Sequence, residues 1–159
     1  MKAVRVAVPG GLEALRVEEV PEPEPPPGWL TLEVKAASVN HLDLWVRRGL
    51  PLATYPRILG SDAAGVIRET GERALLNPSL SCGACEFCVS GEKPLCRGFQ
   101  VFGEHRDGAQ AARIAAPRAG LLPNPAPLYF EAAAAAPRGF LTAWRISNRS
   151  ASTFSLCTP

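Results

Sequence analysis

The segment CGACEFCVSGEKPLC, from Cys82 to Cys96, places four of the chain's five cysteines in the pattern C-x2-C-x2-C-x7-C. Thiols this dense must share a metal or pair as disulfides, and either choice forces tight turns on the chain between them. Zinc held by four thiolates is tetrahedral, with Zn–S near ~2.3 Å. Gly83 and Gly91 give the backbone the freedom such turns need. The spacing therefore predicts a structural zinc site of Cys82, Cys85, Cys88 and Cys96. Ferredoxin-type iron–sulfur binding uses C-x2-C-x2-C-x3-C-P, and here the last gap is longer and Arg97 follows Cys96. A disulfide framework belongs to oxidising compartments. A nucleic-acid finger would carry a basic helix, whereas this lobe has Lys93 offset by Glu86 and Glu92. Catalytic zinc keeps an open coordination position, and four thiolates leave none. The fifth cysteine, Cys157, receives no role.

The 159 residues suffice for one domain with a core, or a domain plus an appendage. A net charge of +2 is too small to point to nucleic acid or an anionic membrane. No apolar run approaches the ~20 residues of a membrane helix. The N-terminus lacks the apolar core of a signal peptide, because Arg5 and Glu13 interrupt it, so a cytoplasmic chain is expected. The 16 prolines favour strands and loops over long helices.

Periodicity predicts a mainly β chain with a few short helices. Lys2–Val8 alternates with its valines on one face, and Leu15–Val20 follows at hairpin spacing. Pro21–Gly28 is a rigid extended connector, since proline cannot donate to a sheet. Trp29–Val39 is a third strand. In Asn40–Gly49 the period changes: Leu42, Trp45 and Val46 share a helical face, and Gly49 sits at a C-cap. Gly60–Glu69 is a turn feeding a buried strand, Arg73–Asn77 a short strand, and Ala109–Pro117 a weaker one. Tyr129–Ile146 is the strongly helical stretch, with Pro137 expected to break or restart it. Ser147–Pro159 is Ser/Thr-rich without an apolar period and is expected to be a disordered or extraneous tail.

These segments together resemble one family. EEVPEPEPPPG, VKAASVNHLDLWVRRGLP, PRILGSDAAGVI, the cysteine segment, FGEHRDG and FEAAAAAPRGFLTAW occur in the order found in zinc-type medium-chain alcohol dehydrogenases. Within that family they are similar to the quinone-oxidoreductase-like branch. The resemblance implies a GroES-like, partly open β-barrel with a four-cysteine zinc lobe. It implies a substrate (catalytic) domain over 1–128 that includes the lobe at 77–96, and a linker helix over 129–146 leading toward a Rossmann domain. Zinc-dependent members place Cys and His ligands where this chain has Asn40 and Ser61, so a catalytic zinc is not expected. In the zinc-free branch the corresponding Asn, and the Thr of an LTA segment, lie near the nicotinamide. That implies catalytic and cofactor-binding roles for Asn40 and Thr142. RETGERALLN is shorter than the family's usual connector, and AQAARIAAP lacks its aromatic and acid.

A dinucleotide site needs a strand, a G-x-G-x-x-G turn and a helix N-terminus facing the pyrophosphate. The chain has no such pattern; GSDAAG lacks the middle glycine and precedes a strand. NAD(P) is accordingly expected in the full-length family and not on this chain alone. His41 and Asp43 are candidates to orient substrate or relay a proton, or else a solvated histidine and a helix cap. Asp62 reads equally as a carboxylate near the site or a turn residue. His105 reads as a surface loop residue, and Trp45 and Trp144 as core or interdomain packing. The expected function is the zinc-binding N-terminal domain of an alcohol dehydrogenase-like oxidoreductase acting on an alcohol, carbonyl or quinone-type small molecule. It is expected to be inactive without its cofactor domain, and either a homo-oligomer or a partner of that domain. Two alternatives stay open: a zinc-stapled protein-interaction module, and a gene fragment without selected function.

Overall fold

A computed structural model describes residues 1–51 and 53–154 of the chain. Three antiparallel sheets make up the β structure. The first has the order β2-β1-β4, formed by Leu15–Glu19 (β2), Lys2–Val6 (β1) and Arg57–Ile58 (β4). The second has the order β10-β6-β5-β3-β9, from Leu121–Pro123, Arg73–Leu76, Ala63–Ile67, Trp29–Ala37 and Arg113–Pro117. The third is a two-stranded ribbon of Ser79–Leu80 (β7) and Gln100–Val101 (β8). The larger sheet curls as a partly open barrel around Leu32, Ile67, Leu76, Phe102 and Ile114, all buried. Helix α1 (His41–Arg48) lies over a second cluster with Val6, Leu42, Val46 and Leu59.

Several elements match their expected limits. The connector over 21–26 forms no strand, and α1 has Asn40 at its N-cap and Gly49 in the left-handed region at φ 112°. Others differ. β1 ends at Val6, Val4 is only half-buried and Val8 is exposed, so the valines do not form one buried face. β1 is flanked on both edges, by β2 and β4, and Ala3 bridges Ala111, so what covers each residue depends on neighbours remote in sequence. In β3 the register shifts between Val34 and Ala36, which breaks strict alternation. Gly65 sits opposite this irregularity, where an added Cβ would lie 2.0 Å from the Glu33 carbonyl oxygen.

The C-terminal helix α3 runs Phe130–Phe154 with Pro137 inside it, so the proline does not break it. Pro137 is buried, and the following amide, Arg138 N–H, has the Asp62 Oδ2 at 3.4 Å. Tertiary packing thus compensates the turn that proline weakens. Ala133 and Ala134 pack flat against Ala64 of β5, which anchors the helix on the sheet. α3 continues past the expected boundary at Ile146, because extending a formed helix is far cheaper than nucleating one. Residues 155–159 of the expected tail, Cys157 among them, lie outside the described residues. Trp45 and Trp144 are 51% and 68% exposed, which removes both from the core: burial goes to Leu42 and Val46 on α1, and to Ala133 and Ala134 on α3.

Candidate functional site

Two clusters carry chemistry. In the first, β7 and β8 pair Ser79 with Val101 and Leu80 with Gln100, closing the stem of the cysteine lobe. Inside it, the four-residue helix α2 (Glu86–Val89) starts at Cys85, and a 3-10 turn over Lys93–Leu95 returns the chain to Cys96. Gly83 and Gly91 take φ of 76° and 88°, the left-handed turns that glycine permits. The four thiol sulfurs lie within 4.8 Å of one another. Cys82 Sγ is 3.8 Å and Cys85 Sγ 3.6 Å from Cys88 Sγ. A tetrahedron with Zn–S near ~2.3 Å has sulfur–sulfur edges of about 3.8 Å. The donor set and its spacing therefore fit one four-coordinate zinc.

The electrostatics of the lobe suit thiolates. Backbone amides of Ala84 and Cys85 bring the Cys82 thiol down to about 6. Cys96 Sγ accepts from the amides of Cys82 at 3.2 Å and Gly98 at 3.3 Å. Cys88 is buried, which pushes its thiol up to about 11, so its deprotonation needs the charge of a metal. Arg145 of α3 reaches this lobe through Glu92, Nη2 to Oε2 at 3.0 Å.

The second cluster forms where the end of β3, the N-terminus of α1 and the turn before β5 meet. Asn40 Nδ2 lies 3.2 Å from Ser38 Oγ, 3.2 Å from Ser61 Oγ and 3.1 Å from Asp62 Oδ2. Asp43 ties the backbone beneath them: its Oδ2 accepts from Asn40 N–H at 2.7 Å and its Oδ1 from Gly60 N–H at 2.8 Å. Gly60 is needed at φ 95°, in a spot where a Cβ would sit 2.8 Å from the Gln110 amide nitrogen. Burial pushes the carboxyls of Asp43 and Asp62 above their ordinary range. Hydrogen bonds and the Arg138 charge pull them partly back.

Sequence reading and structure meet unevenly here. Asn40, Asp43, Ser61 and Asp62 come together. His41 is exposed, edge-on to Trp45 at 4.8 Å between ring centroids. Thr142 lies on the exposed side of α3, donating to the Arg138 carbonyl at 2.8 Å, and bonds to none of the Asn40 group. His105 is half-buried, and its Nδ1 accepts from Val101 N–H at 3.2 Å, a turn-stabilising role. Ser38 and Arg138 join the site without any sequence signal, because strand ends and helix turns reveal their neighbours only in three dimensions. Among the described residues, the four cysteines are the one group of three or more His, Cys, Asp or Glu placed to share a metal. Asn40 and Ser61 do not fit a second zinc.

Residues 26–126 match the alcohol dehydrogenase GroES-like domain. The chain belongs to that family. It is 33% identical over 129 residues to the acryloyl-coenzyme A reductase of Sulfurisphaera tokodaii, a match covering 72% of this chain and 37% of that protein. A crystal structure of an NAD-dependent alcohol dehydrogenase superposes with a TM-score of 0.87 at 45% identity, covering 91% of this chain and 46% of the other. The cobalt- and zinc-bound thermostable alcohol dehydrogenase of Pyrobaculum aerophilum gives 0.85 at 32% identity, covering 94% and 47%. This GroES-like chain thus spans less than half the length of such relatives. Among its described residues no helix is long and apolar enough to cross a membrane.

Proposed function

We propose that this chain is the zinc-stapled, substrate-side unit of a cytoplasmic NAD(P)-dependent oxidoreductase. The reaction is hydride transfer between a nicotinamide and an alcohol, carbonyl or quinone-type small molecule. The observation that carries this reading is the hydrogen-bonded Asn40–Ser38–Ser61–Asp62 cluster. Within it, Asn40 and Ser61 stand where the resemblance puts the Cys and His zinc ligands of zinc-dependent members. The nicotinamide supplies the hydride when bound, and protein groups supply position and electrostatics. Asn40 and Thr142 contact the cofactor and substrate. His41, open to solvent, relays a proton. Asp43 acts indirectly by holding Asn40 and Gly60 in register. Cys82, Cys85, Cys88 and Cys96 hold one structural zinc that takes no part in the reaction.

These 159 residues contain no glycine-rich strand-to-helix turn for a pyrophosphate, so the reaction needs a cofactor-binding unit in addition to this one. Neither nucleic acid nor membrane is a partner in this reading. Fluorescence titration of the purified chain with NADH and NADPH is the test. No micromolar binding is expected, and micromolar binding by this unit alone would overturn the division of labour.

One observation favours a second reading, a protein-interaction module. Phe140, Trp144 and Ile146 on α3 are 74%, 68% and 62% exposed. Light scattering separates the two: a stable self-assembled multimer supports the module, and a monomer counts against it.

A further inference from the structure

The outer edge of β9 (Arg113–Pro117) is open. In an antiparallel pair, facing residues alternate between hydrogen-bonded and non-bonded. Thr31 of β3 gives its N–H to the Glu69 carboxylate at 3.0 and 3.1 Å, and its carbonyl accepts the Arg68 N–H at 2.9 Å. Both of its backbone groups therefore face away from β9, so the Thr31–Ala115 pair is of the non-bonded kind. The N–H and C=O of Ala115 then point away from β3, and those of Arg113, two residues earlier, do the same. No strand pairs with this edge, and no backbone group of a described residue takes these donors and acceptors up.

A cavity of about 530 Å³ is lined by Arg113 and Ala115 of this edge, by the apolar Ile58 and Phe102, and by the proline-rich connector. Proline has no N–H to close a ladder, so the connector borders the edge without pairing with it. Glu22 pins the connector in place, its carboxylate shared by Arg113 and Arg68. Most charged groups around the cavity are committed in this way. Arg5 pairs with Glu18 at 3.1 Å, and Asp107 with Arg57 at 3.5 Å. Arg106 is different. Its guanidinium lies over the Trp29 ring, 4.9 Å from the centroid, and makes no ion pair or side-chain hydrogen bond with a described residue. The ring steadies the cation and leaves its N–H donors open. Glu24, exposed on the connector, also lacks an ionic partner among the described residues.

We propose that this groove binds a short extended peptide with one acidic residue, which adds a strand to β9 and pairs its carboxylate with Arg106. A free sheet edge offers a donor and an acceptor at every second residue, and peptide main chain answers both. The carboxylate supplies selectivity, because a guanidinium meets it with planar, charge-assisted hydrogen bonds. A second acidic residue beside the connector would meet Glu24 and is disfavoured. The groove shares no residue with the Asn40 cluster or the cysteine lobe, so the proposal does not rest on the oxidoreductase reading.

Nuclear magnetic resonance on the zinc-loaded, nitrogen-15-labelled chain tests it. The probes are acetylated and amidated pentapeptides in which a single Glu moves along Thr-Val-Thr-Val-Thr. At least one should slow solvent exchange of the Ala115 and Arg113 amides about tenfold. Replacing its Glu by Gln, or Arg106→Leu in the protein, should each weaken binding about tenfold. N-methylation of the peptide, one amide at a time, should abolish binding at every second position. Ala115→Pro should weaken it too, since that proline removes an N–H the ladder does not use; if the variant fails to fold, the N-methylated peptides carry the same test. Four results overturn the proposal. The first is that no peptide protects these amides, and the second is that the Gln or N-methylated forms bind equally well. The third is that 3-phenylpropionate binds as tightly as the best peptide, which makes the cavity a site for small acids. The fourth is protection that rises with chain concentration without peptide, which makes the occupant a second copy.

Discussion

Asp43 holds two separate chain segments with one carboxylate, accepting from Asn40 N–H at 2.7 Å and from Gly60 N–H at 2.8 Å. Asn40 starts α1 and Gly60 precedes the Ser61–Asp62 turn, so this one side chain sets the spacing of the second cluster. Removing it orphans two backbone donors, each worth about 1–3 kcal/mol when buried unpaired. Asp43→Ala should lose about 3 kcal/mol of stability in urea denaturation while retaining its zinc, because the cysteine lobe is built separately.

Asp62→Asn should behave in the opposite sense. Burial raises the Asp62 carboxyl above its ordinary value of 3.8. The folded state therefore holds the proton more tightly than the unfolded chain. The favourable contribution is complete below the ordinary value and is lost as pH rises through the raised one. At neutral pH the ionised, half-unpaired carboxylate is a cost, and the isosteric amide removes it. Asp62→Asn should gain on the order of 1 kcal/mol at pH 7. The gain should shrink on acidification through that window, as read from urea midpoints at several pH values. A loss of stability at pH 7 would contradict the burial argument.

For the lobe, elemental analysis after purification under reducing conditions should give about one zinc per chain, and Cys88→Ser should lower this sharply. Backbone amides lower the Cys82 thiol to about 6, whereas burial pushes Cys88 up to about 11, so Cys88 stays deprotonated at neutral pH only through the charge of a metal. Acidification should release the zinc, because protons compete with the metal for the thiolates, followed by loss of amide protection over residues 81–99 while the barrel sheet stays folded.

Gly65→Ala tests the close approach of β5 to β3. The new Cβ would lie 2.0 Å from the Glu33 carbonyl oxygen, backbone that cannot swing aside. The variant should lose about 2–3 kcal/mol or fail to accumulate in soluble form. An unchanged melting temperature would show that the β3 irregularity absorbs the methyl group.

What could be read in advance was local. The cysteine spacing requires only a few residues of chain between ligands, and the lobe formed as its glycines and gaps indicated. The cap residues Asn40 and Gly49 marked α1 to within a residue, because helix ends are decided by the residues that sit there. Pro137 failed as a breaker, since its turn is supported by Asp62 from a distant segment. Trp45 shares a helical face with Leu42 and Val46 on paper, but the neighbouring elements cover only the other two.

The sequence by itself determined the β character of the chain, its family and the clustering of the four cysteines, all of which rest on short-range spacing or on motifs read in order. Only the tertiary structure decided that Asp62 lies 76 residues from Arg138 in sequence and within hydrogen-bonding distance in space. It also decided that Ser38 joins the Asn40 amide, and that Thr142 stands apart from it. Such contacts come from how β3, β5 and α3 pack on one another, and side chains carry no local mark of a partner chosen by that packing.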